Sequence, residues 1–306
     1  MIKIAIAGSS GFAQYIAHFL NTQTSHPFII LSRNPNQALV AKGWQVVRVN
    51  YDQPAKLRYA LAGVDTVIST ISGTAELNLI DAAAQSHVRR FVPSEFEGPP
   101  GQALASELLD RGNSSSLARL YHYHSQGVMS YTVFVCGIFY ERFAPGGMAV
   151  FQIGRGTHID KEGSYILDIR SRTARVLYPS ENSSRSASIC MTSAQDAARF
   201  IVAALALDKW PTEFRMCGDR TRLTDLVRMA ESTFGQQFTT SVDTPRSLQS
   251  SITRAGSKSE VWQLHHLLAT ASGSYDYEDY NIHALIPVQA QSFRSWIRDV
   301  WLNSGY

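Results

Sequence analysis

The sequence predicts an α/β protein with a doubly wound parallel sheet of the Rossmann type and a smaller C-terminal substrate-binding lobe. Two observations support this fold class. The chain opens on an apolar strand, a glycine turn and an amphipathic helix, and short apolar runs then alternate with helical segments up to about residue 136. A length of 306 residues is enough to bury the core of one such sheet and of an added lobe.

The first turn has the features of a pyrophosphate site. Ile2, Ile4 and Ile6 suit a buried parallel strand, and the helix after the turn has one apolar face. Glycine lets the backbone turn sharply and approach a phosphate, which the helix N-terminus attracts. Gln14 stands where a third glycine is usual, and an ordinary turn without a ligand is the alternative. The candidate cofactor-binding residues here are Gly8, Ser9, Ser10, Gly11 and Phe12.

The second strand, predicted at residues 28–34, ends where such folds select between NAD and NADP. An acidic residue there would bind the 2′-hydroxyl of NAD, whereas this chain has Ser32 and Arg33. A hydroxyl and a guanidinium suit a 2′-phosphate. We therefore expect NADP(H) as the cofactor, with a solvated surface arginine as the alternative.

Four further strands and their helices complete the predicted sheet. The strands are expected at residues 45–49, 64–70, 90–96 and 131–136, with helices at 54–62, 74–86 and 117–126 between them. Ligands bind outside the carboxyl ends of the strands in such sheets. Further candidate cofactor-binding residues are therefore Ser69, Thr70, Ile71, Pro93 and Ser94.

The pattern loosens after Gly137. Helices are expected at 193–207 and 222–234, an amphipathic helix closes the chain, and residues 272–283 are interpreted as a surface loop or lid. We expect an NADP(H)-binding Rossmann domain over residues 1–145. A substrate lobe interleaved with late sheet elements would occupy residues 146–306.

Composition narrows the class of partner. Charged residues make up 17% of the chain, below the roughly 25% usual for soluble domains, which leaves apolar surface for a ligand cavity or a subunit interface. A net charge of +3 without a basic run disfavours nucleic acid. Three separated cysteines, no secretory signal and no long apolar span favour a cytoplasmic protein without membrane partners. No metal site is expected, and the protein would be a monomer or a homodimer.

Several segments together resemble the NmrA-like and isoflavone-reductase-like group of atypical short-chain dehydrogenases, most of all its fungal members in secondary metabolism. The resemblance implies an NADPH-binding fold and an aromatic or polycyclic natural product, such as an alkaloid, as the substrate. The segments are Gly8–Gly11, Gly63–Ser69, Arg90–Phe96, Ser130–Thr132, Gly137–Phe143, Gln195–Phe200 and Cys217–Arg220.

The chain departs from this group at its catalytic lysine. The resemblance places that lysine near Ser116 or Leu117, yet no lysine occurs between Lys56 and Lys161. The Tyr-x-x-x-Lys pair of ordinary short-chain dehydrogenases is absent as well. The usual means of protonating a carbonyl oxygen is therefore missing.

The candidate catalytic residues that could replace the lysine are Glu95, His122, Tyr140 and Glu141. Three of them have a structural alternative: Glu95 could bind ribose or backbone, His122 could be a surface histidine, and Tyr140 could be part of a wall. Three functions stay open. They are NADPH-dependent reduction, a redox-neutral epoxide-opening or semipinacol-type isomerisation that keeps NADP(H) unconsumed, and dinucleotide sensing by a transcriptional co-regulator.

Overall fold

The computed structural model describes residues 1–34 and 36–303, which form two compact units that are discontinuous in sequence. Among the described residues, the first unit comprises 1–34, 36–96, 110–134 and 198–214, and the second comprises 97–109, 135–197 and 215–303. The predicted functional boundary at residue 145 stays a prediction. The last three residues of the 146–306 range lie outside the described residues.

The first unit contains a six-stranded parallel sheet with the order β3-β2-β1-β4-β5-β6, which confirms the predicted Rossmann-type sheet. Ile68 pairs with Ile6 on one side and with Val92 on the other, so the carboxyl ends of β1, β4 and β5 meet at one edge. The strands are β1 Ile4–Ala7, β2 Phe28–Ser32, β3 Gln45–Arg48, β4 Thr66–Ser69, β5 Arg90–Val92 and β6 Ser130–Tyr131.

The strands are shorter than the apolar runs that predicted them. The predicted last strand is divided at Thr132, whose hydroxyl donates to the Pro211 carbonyl at 2.6 Å. Only β6 joins the large sheet, and β7 (Val133–Val135) pairs with β12 (Glu213–Arg215) instead. Backbone pairing, rather than hydrophobicity, decides where a strand ends.

Helices connect the strands of the first unit and bury their apolar faces on the sheet. The longest are α1, α4 and α6, and α6 begins four residues before its predicted start. The helices are α1 Gly11–Gln23, α2 Gln37–Ala41, α3 Pro54–Ala60, α4 Thr74–Gln85, α5 Glu107–Asp110, which lies partly in the second unit, and α6 Asn113–Ser125. Ala82, Ala83 and Ala84 of α4 are buried with Val67 and Phe91 of the sheet in one core cluster.

The second unit is built from two three-stranded sheets and the remaining helices. The sheet orders are β14-β10-β9 and β13-β11-β8. The strands are β8 Ile138–Phe139, β9 Leu167–Asp168, β10 Thr173–Leu177, β11 Ser188–Thr192, β13 Asp219–Arg222 and β14 Thr239–Asp243. The helices are α7 Ala194–Ala204, which continues into the first unit, α8 Leu223–Phe234, α9 Pro245–Arg254, α10 Lys258–Ala271 and α11 Phe293–Arg298, and a 3₁₀ helix spans Tyr140–Phe143.

The segment 272–283, predicted as a surface loop or lid, contains a loop that is only partly at the surface. Tyr275, Tyr277 and Ile282 are all buried in this segment. The Tyr277 hydroxyl donates to the Met216 carbonyl at 2.7 Å. Tyrosine can bury its ring when its hydroxyl finds a partner, so polar and aromatic composition alone did not place this segment at the surface.

Candidate active site

The glycine turn brings the ends of β1 and β4 together. Gly8 has φ +108°, and a Cβ atom there would overlap the Thr70 hydroxyl. The Thr70 amide and hydroxyl both donate to the Ala7 carbonyl at 2.8 Å. Ile71 also lies against this position. Two predicted cofactor segments, the turn and the end of β4, therefore meet in space at a place where only glycine fits.

The N-terminus of α1 offers a cradle that fits a phosphate. Its N-cap residue, Ser10, makes no side-chain capping bond within the described residues, and the first turn contains no acidic residue. Ala13 and Ala17 are fully buried, so small side chains allow the close packing that a third glycine would otherwise provide. Gln14 instead donates to the Ser9 carbonyl at 3.2 Å and braces the turn. A helix N-terminus of this kind attracts anions.

A second cation that the sequence did not reveal, Lys42, contacts the first turn of α1. Ser9 Oγ is 3.3 Å from Ser32 Oγ, and Arg33 is exposed. Lys42 donates from Nζ to Gln14 Oε1 at 3.3 Å, and Nζ is 4.9 Å from the centre of the Trp44 ring. No motif marked Lys42, because only the fold brings it to the glycine turn.

The ends of β4 and β5 lie side by side, as predicted. Ser69 Oγ donates to the Ile71 carbonyl at 3.2 Å, and Pro93 is buried directly after β5. Glu95 is half-buried. The Phe12 ring, at the start of α1, packs edge-on against Phe96 with ring centres 4.8 Å apart. The segment that contains Glu95 therefore lies beside the glycine turn.

The same edge contains a buried carboxylate, Glu76, that sequence reasoning missed. One carboxylate oxygen accepts from the Ser94 amide at 2.7 Å and the other from the Ser116 hydroxyl at 3.1 Å. Burial raises the pKa of Glu76 above its usual value, and these bonds, the Ser69 hydroxyl and the charge of Arg111 offset only part of that rise. Ser116, near the position expected for the lysine, thus holds a buried carboxyl group.

His122 lies far along α6 from this edge. The N-terminus of α6 lies at the edge, because Gly112, directly before α6, is close to Gly73, directly before α4. A Cβ atom added to Gly112 would be 3.1 Å from Gly73 Cα. His122 is nine residues beyond Asn113, about 14 Å at helical rise. It is exposed, and its ring lies edge-on to Tyr123. This placement supports the surface alternative, and the catalytic role of His122 stays a prediction.

Tyr140 and Glu141 are both buried within the second unit. The Tyr140 hydroxyl donates to the Gln291 carbonyl at 3.1 Å, and burial, together with the charge of Asp219, raises its pKa. Both Glu141 oxygens accept from the Ala194 amide, at 3.0 and 2.9 Å. Burial raises the pKa of Glu141 to about 7. These contacts fit structural roles, and catalysis by either residue stays a prediction.

Two further properties concern partners. None of the helices in residues 1–34 and 36–303 combines the length and apolar character needed to cross a bilayer. Over that same part of the chain, His, Cys, Asp and Glu side chains nowhere form a group of three or more that could hold a metal ion.

Comparison with known proteins identifies the family. The profile of the NAD(P)H-binding domain matches residues 8–121. Oxidoreductase BOA1 of Botryotinia fuckeliana is 30% identical over 78% of this chain and 78% of its own length. The NADPH complex of the quinone oxidoreductase QOR2 from Escherichia coli has a TM-score of 0.71 at 16% identity and covers 97% of this chain and 99% of its own. The NADPH complex of leucoanthocyanidin reductase from Vitis vinifera has a TM-score of 0.70 at 16% identity and covers 96% of this chain and 98% of its own.

The chain belongs to the NmrA-like, isoflavone-reductase-like group of atypical short-chain dehydrogenases and is an NAD(P)H-binding member of an oxidoreductase family. This confirms the predicted family and the predicted nicotinamide dinucleotide cofactor. The roles of individual residues stay predictions.

Proposed function

We propose that this member of the family is an NADPH-dependent reductase of an aromatic or conjugated small molecule. The observation that carries the cofactor preference is the charge around the glycine turn. No acidic residue precedes Asp52, whereas Lys3, Arg33, Lys42 and Arg48 all do. The carboxylate that would bind the 2′-hydroxyl of NAD is therefore missing from the whole region. Arg33 directly follows Ser32, and Lys42 contacts Gln14, whose side chain binds the Ser9 carbonyl.

Each residue of the turn has a defined task in this proposal. Gly8 and the start of α1 hold the pyrophosphate, and Ser32, Arg33 and Lys42 face the 2′-phosphate. When bound, NADPH supplies a hydride. Ser94 and Glu95 follow β5 and line the cofactor crevice. Glu76 fixes the position of the Ser94 amide by accepting its hydrogen bond.

The missing lysine restricts the hydride acceptor. An acceptor that becomes a stabilised anion after hydride addition, such as a quinone or an extended enone, has little need of an enzymatic acid because solvent can protonate it. We propose a substrate of this electronic type. The resemblance to fungal members supports a natural product as its source.

Calorimetric titration with NADPH and NADH tests the cofactor assignment. We expect Arg33→Ala and Lys42→Ala each to weaken NADPH binding about tenfold to a hundredfold, the loss of one charge-assisted bond, with NADH binding unchanged. Lys3→Ala is the matched control, since Lys3 Nζ binds the Ala62 carbonyl and precedes the opposite end of β1. Equal wild-type affinity for the two cofactors would overturn the assignment.

A redox-neutral isomerase that retains NADP(H) is the second candidate, and the absent lysine favours it. Mass spectrometry of products from a panel of conjugated carbonyl compounds, epoxides and alkaloids separates the two functions. Reduction adds two hydrogen atoms to the substrate and consumes NADPH, with loss of absorbance at about 340 nm. Isomerisation leaves both the substrate mass and the cofactor unchanged.

A further inference from the structure

The second unit buries a cation whose contacts are loose. Arg142 lies in the 3₁₀ helix Tyr140–Phe143, and its side chain is 4% exposed. One terminal nitrogen, Nη1, donates to the Ile159 carbonyl at 3.4 Å, and the other, Nη2, lies 3.5 Å from Glu97 Oε1. Nε is buried and has no hydrogen-bond partner among the described residues.

These distances are long for a buried guanidinium. Charge-assisted bonds between nitrogen and oxygen are usually about 2.7–2.9 Å, and a buried donor without a partner destabilises the folded state. Glu97 compensates the charge weakly, because its side chain is 38% exposed and its other oxygen lies 3.4 Å from the Tyr275 hydroxyl. The buried cation therefore keeps unused capacity to bind an anion.

Apart from Glu97, the side chains that contact Arg142 are aromatic and neutral. Its guanidinium carbon is 5.5 Å from the centre of the Tyr165 ring, and the Tyr165 and Phe143 ring centres are 6.4 Å apart. Burial raises the pKa of Tyr165 and of Tyr275, so neither ring supplies a negative charge at neutral pH. Ser274 Oγ, beside Tyr275, is also buried without a partner in the described part of the chain.

We propose that Arg142 anchors the substrate by binding an acidic oxygen, a carboxylate or a phenolate, carried on an aromatic ring. An oxyanion bound at Nε uses the free donor and leaves the Glu97 contact at Nη2 in place. The rings of Tyr165 and Tyr275 provide an apolar wall for the rest of the ligand. The partly exposed Glu97 marks the solvent side of the cluster. This inference rests on the proposed function, because it assigns a substrate class to the same enzyme.

The test measures binding rather than turnover. Naphthalene-2-carboxylate and its methyl ester are titrated into the NADPH-loaded protein by calorimetry, with 2-naphthol and 2-methoxynaphthalene as the phenolic pair. We expect the wild type to bind the carboxylate, or at high pH the naphtholate, at least tenfold more tightly than the neutral partner. Arg142→Met should lose this preference and Arg142→Lys should recover part of it. Equal binding of acid and neutral ligand by the wild type would overturn the proposal, and so would a preference that survives in Arg142→Met.

Two further variants keep the test decisive. Arg170→Met removes an arginine that is 69% exposed and paired with Glu162, and it should keep the preference. Glu97→Gln retains the cation but removes its competing carboxylate, so carboxylate affinity should rise severalfold. If Arg142→Met does not fold, an unchanged affinity in Glu97→Gln overturns the proposal. NADPH affinity is measured in the same samples, because its loss alone would contradict the proposed function and leave the anion site standing.

Discussion

A buried glutamate of the first unit and a buried arginine of the second are held differently. In the first unit, Glu76 accepts bonds of 2.7 and 3.1 Å from groups at the end of β5 and at the start of α6. In the second unit, Arg142 has only contacts of 3.4 and 3.5 Å and one buried nitrogen without a partner among the described residues.

This difference separates charges that support the fold from charges that remain available to a ligand. A charge with short bonds on every side is already compensated, so a ligand gains little by approaching it. A charge held loosely retains donors that a ligand can use. In the functions proposed above, the first unit therefore contributes the glycine turn, a helix end and surface cations, and the second unit contributes one buried cation.

The largest effect is expected from the backbone of the first unit. Gly8→Ala should abolish measurable NADPH binding and destabilise the fold, because the new Cβ overlaps the Thr70 hydroxyl and the positive φ is strained. Gly43→Ala is the control: its φ is +81°, but no atom of residues 1–34 or 36–303 is found within 4 Å of the new Cβ. That variant should lose only about 1–2 kcal/mol of unfolding free energy. Urea denaturation and calorimetry measure both effects, and similar behaviour of the two variants would contradict the shape argument.

An intermediate effect is expected from the buried carboxylate of the second unit. Burial raises the folded-state pKa of Glu141 from 4.5 to about 7. The folded state therefore binds more protons than the unfolded state between these values, and stability falls as pH rises through this window. The loss should reach about 3 kcal/mol above pH 7. Urea denaturation from pH 5 to pH 8 should show this loss in the wild type and not in Glu141→Gln.

Glu162 provides the matched control for that pH dependence. Burial would raise its pKa, but bonds from Arg170 and the Gly146 amide outweigh burial and lower it. The stability that ionised Glu162 contributes is fully present above its unfolded-state pKa of 4.5 and is lost only as pH falls below that value. Glu162→Gln should therefore keep the wild-type slope between pH 5 and pH 8. A Glu141→Gln variant with the same slope as the wild type would show that Glu141 is ionised throughout.

The smallest effect is expected in the buried segment after α10. Tyr277→Phe removes the 2.7 Å bond to the Met216 carbonyl and leaves that acceptor buried, which should cost about 1–2 kcal/mol. Tyr280→Phe removes only weak contacts of the hydroxyl with the Cys190 thiol, at 3.8 Å, and with the Cys217 thiol, and should change the unfolding free energy by less than about 0.5 kcal/mol. Equal urea midpoints for the two variants would mean that the hydroxyl of Tyr277 does not anchor the segment.

Local pattern was sufficient for the architecture of the first unit. Apolar runs and helical periodicity predicted all six strands of the sheet, and the glycine turn predicted the dinucleotide site, because these features depend on neighbours within a few residues. Strand ends were less predictable. Thr132 interrupts an apolar run by binding Pro211, 79 residues away in the chain.

The sequence by itself determined the fold class, the family and the residues of the first turn, since each follows from contiguous residue types. Only the tertiary structure brought Lys42 to Gln14, Glu76 to Ser94 and Ser116, and Arg142 to Glu97 and Tyr165. These partners are separated by 18 to 45 positions. Whether a charged residue supports the fold or can bind a ligand depends on its burial and on the lengths of its hydrogen bonds. Both are set by the residues packed around it in three dimensions and not by the order of residues along the chain.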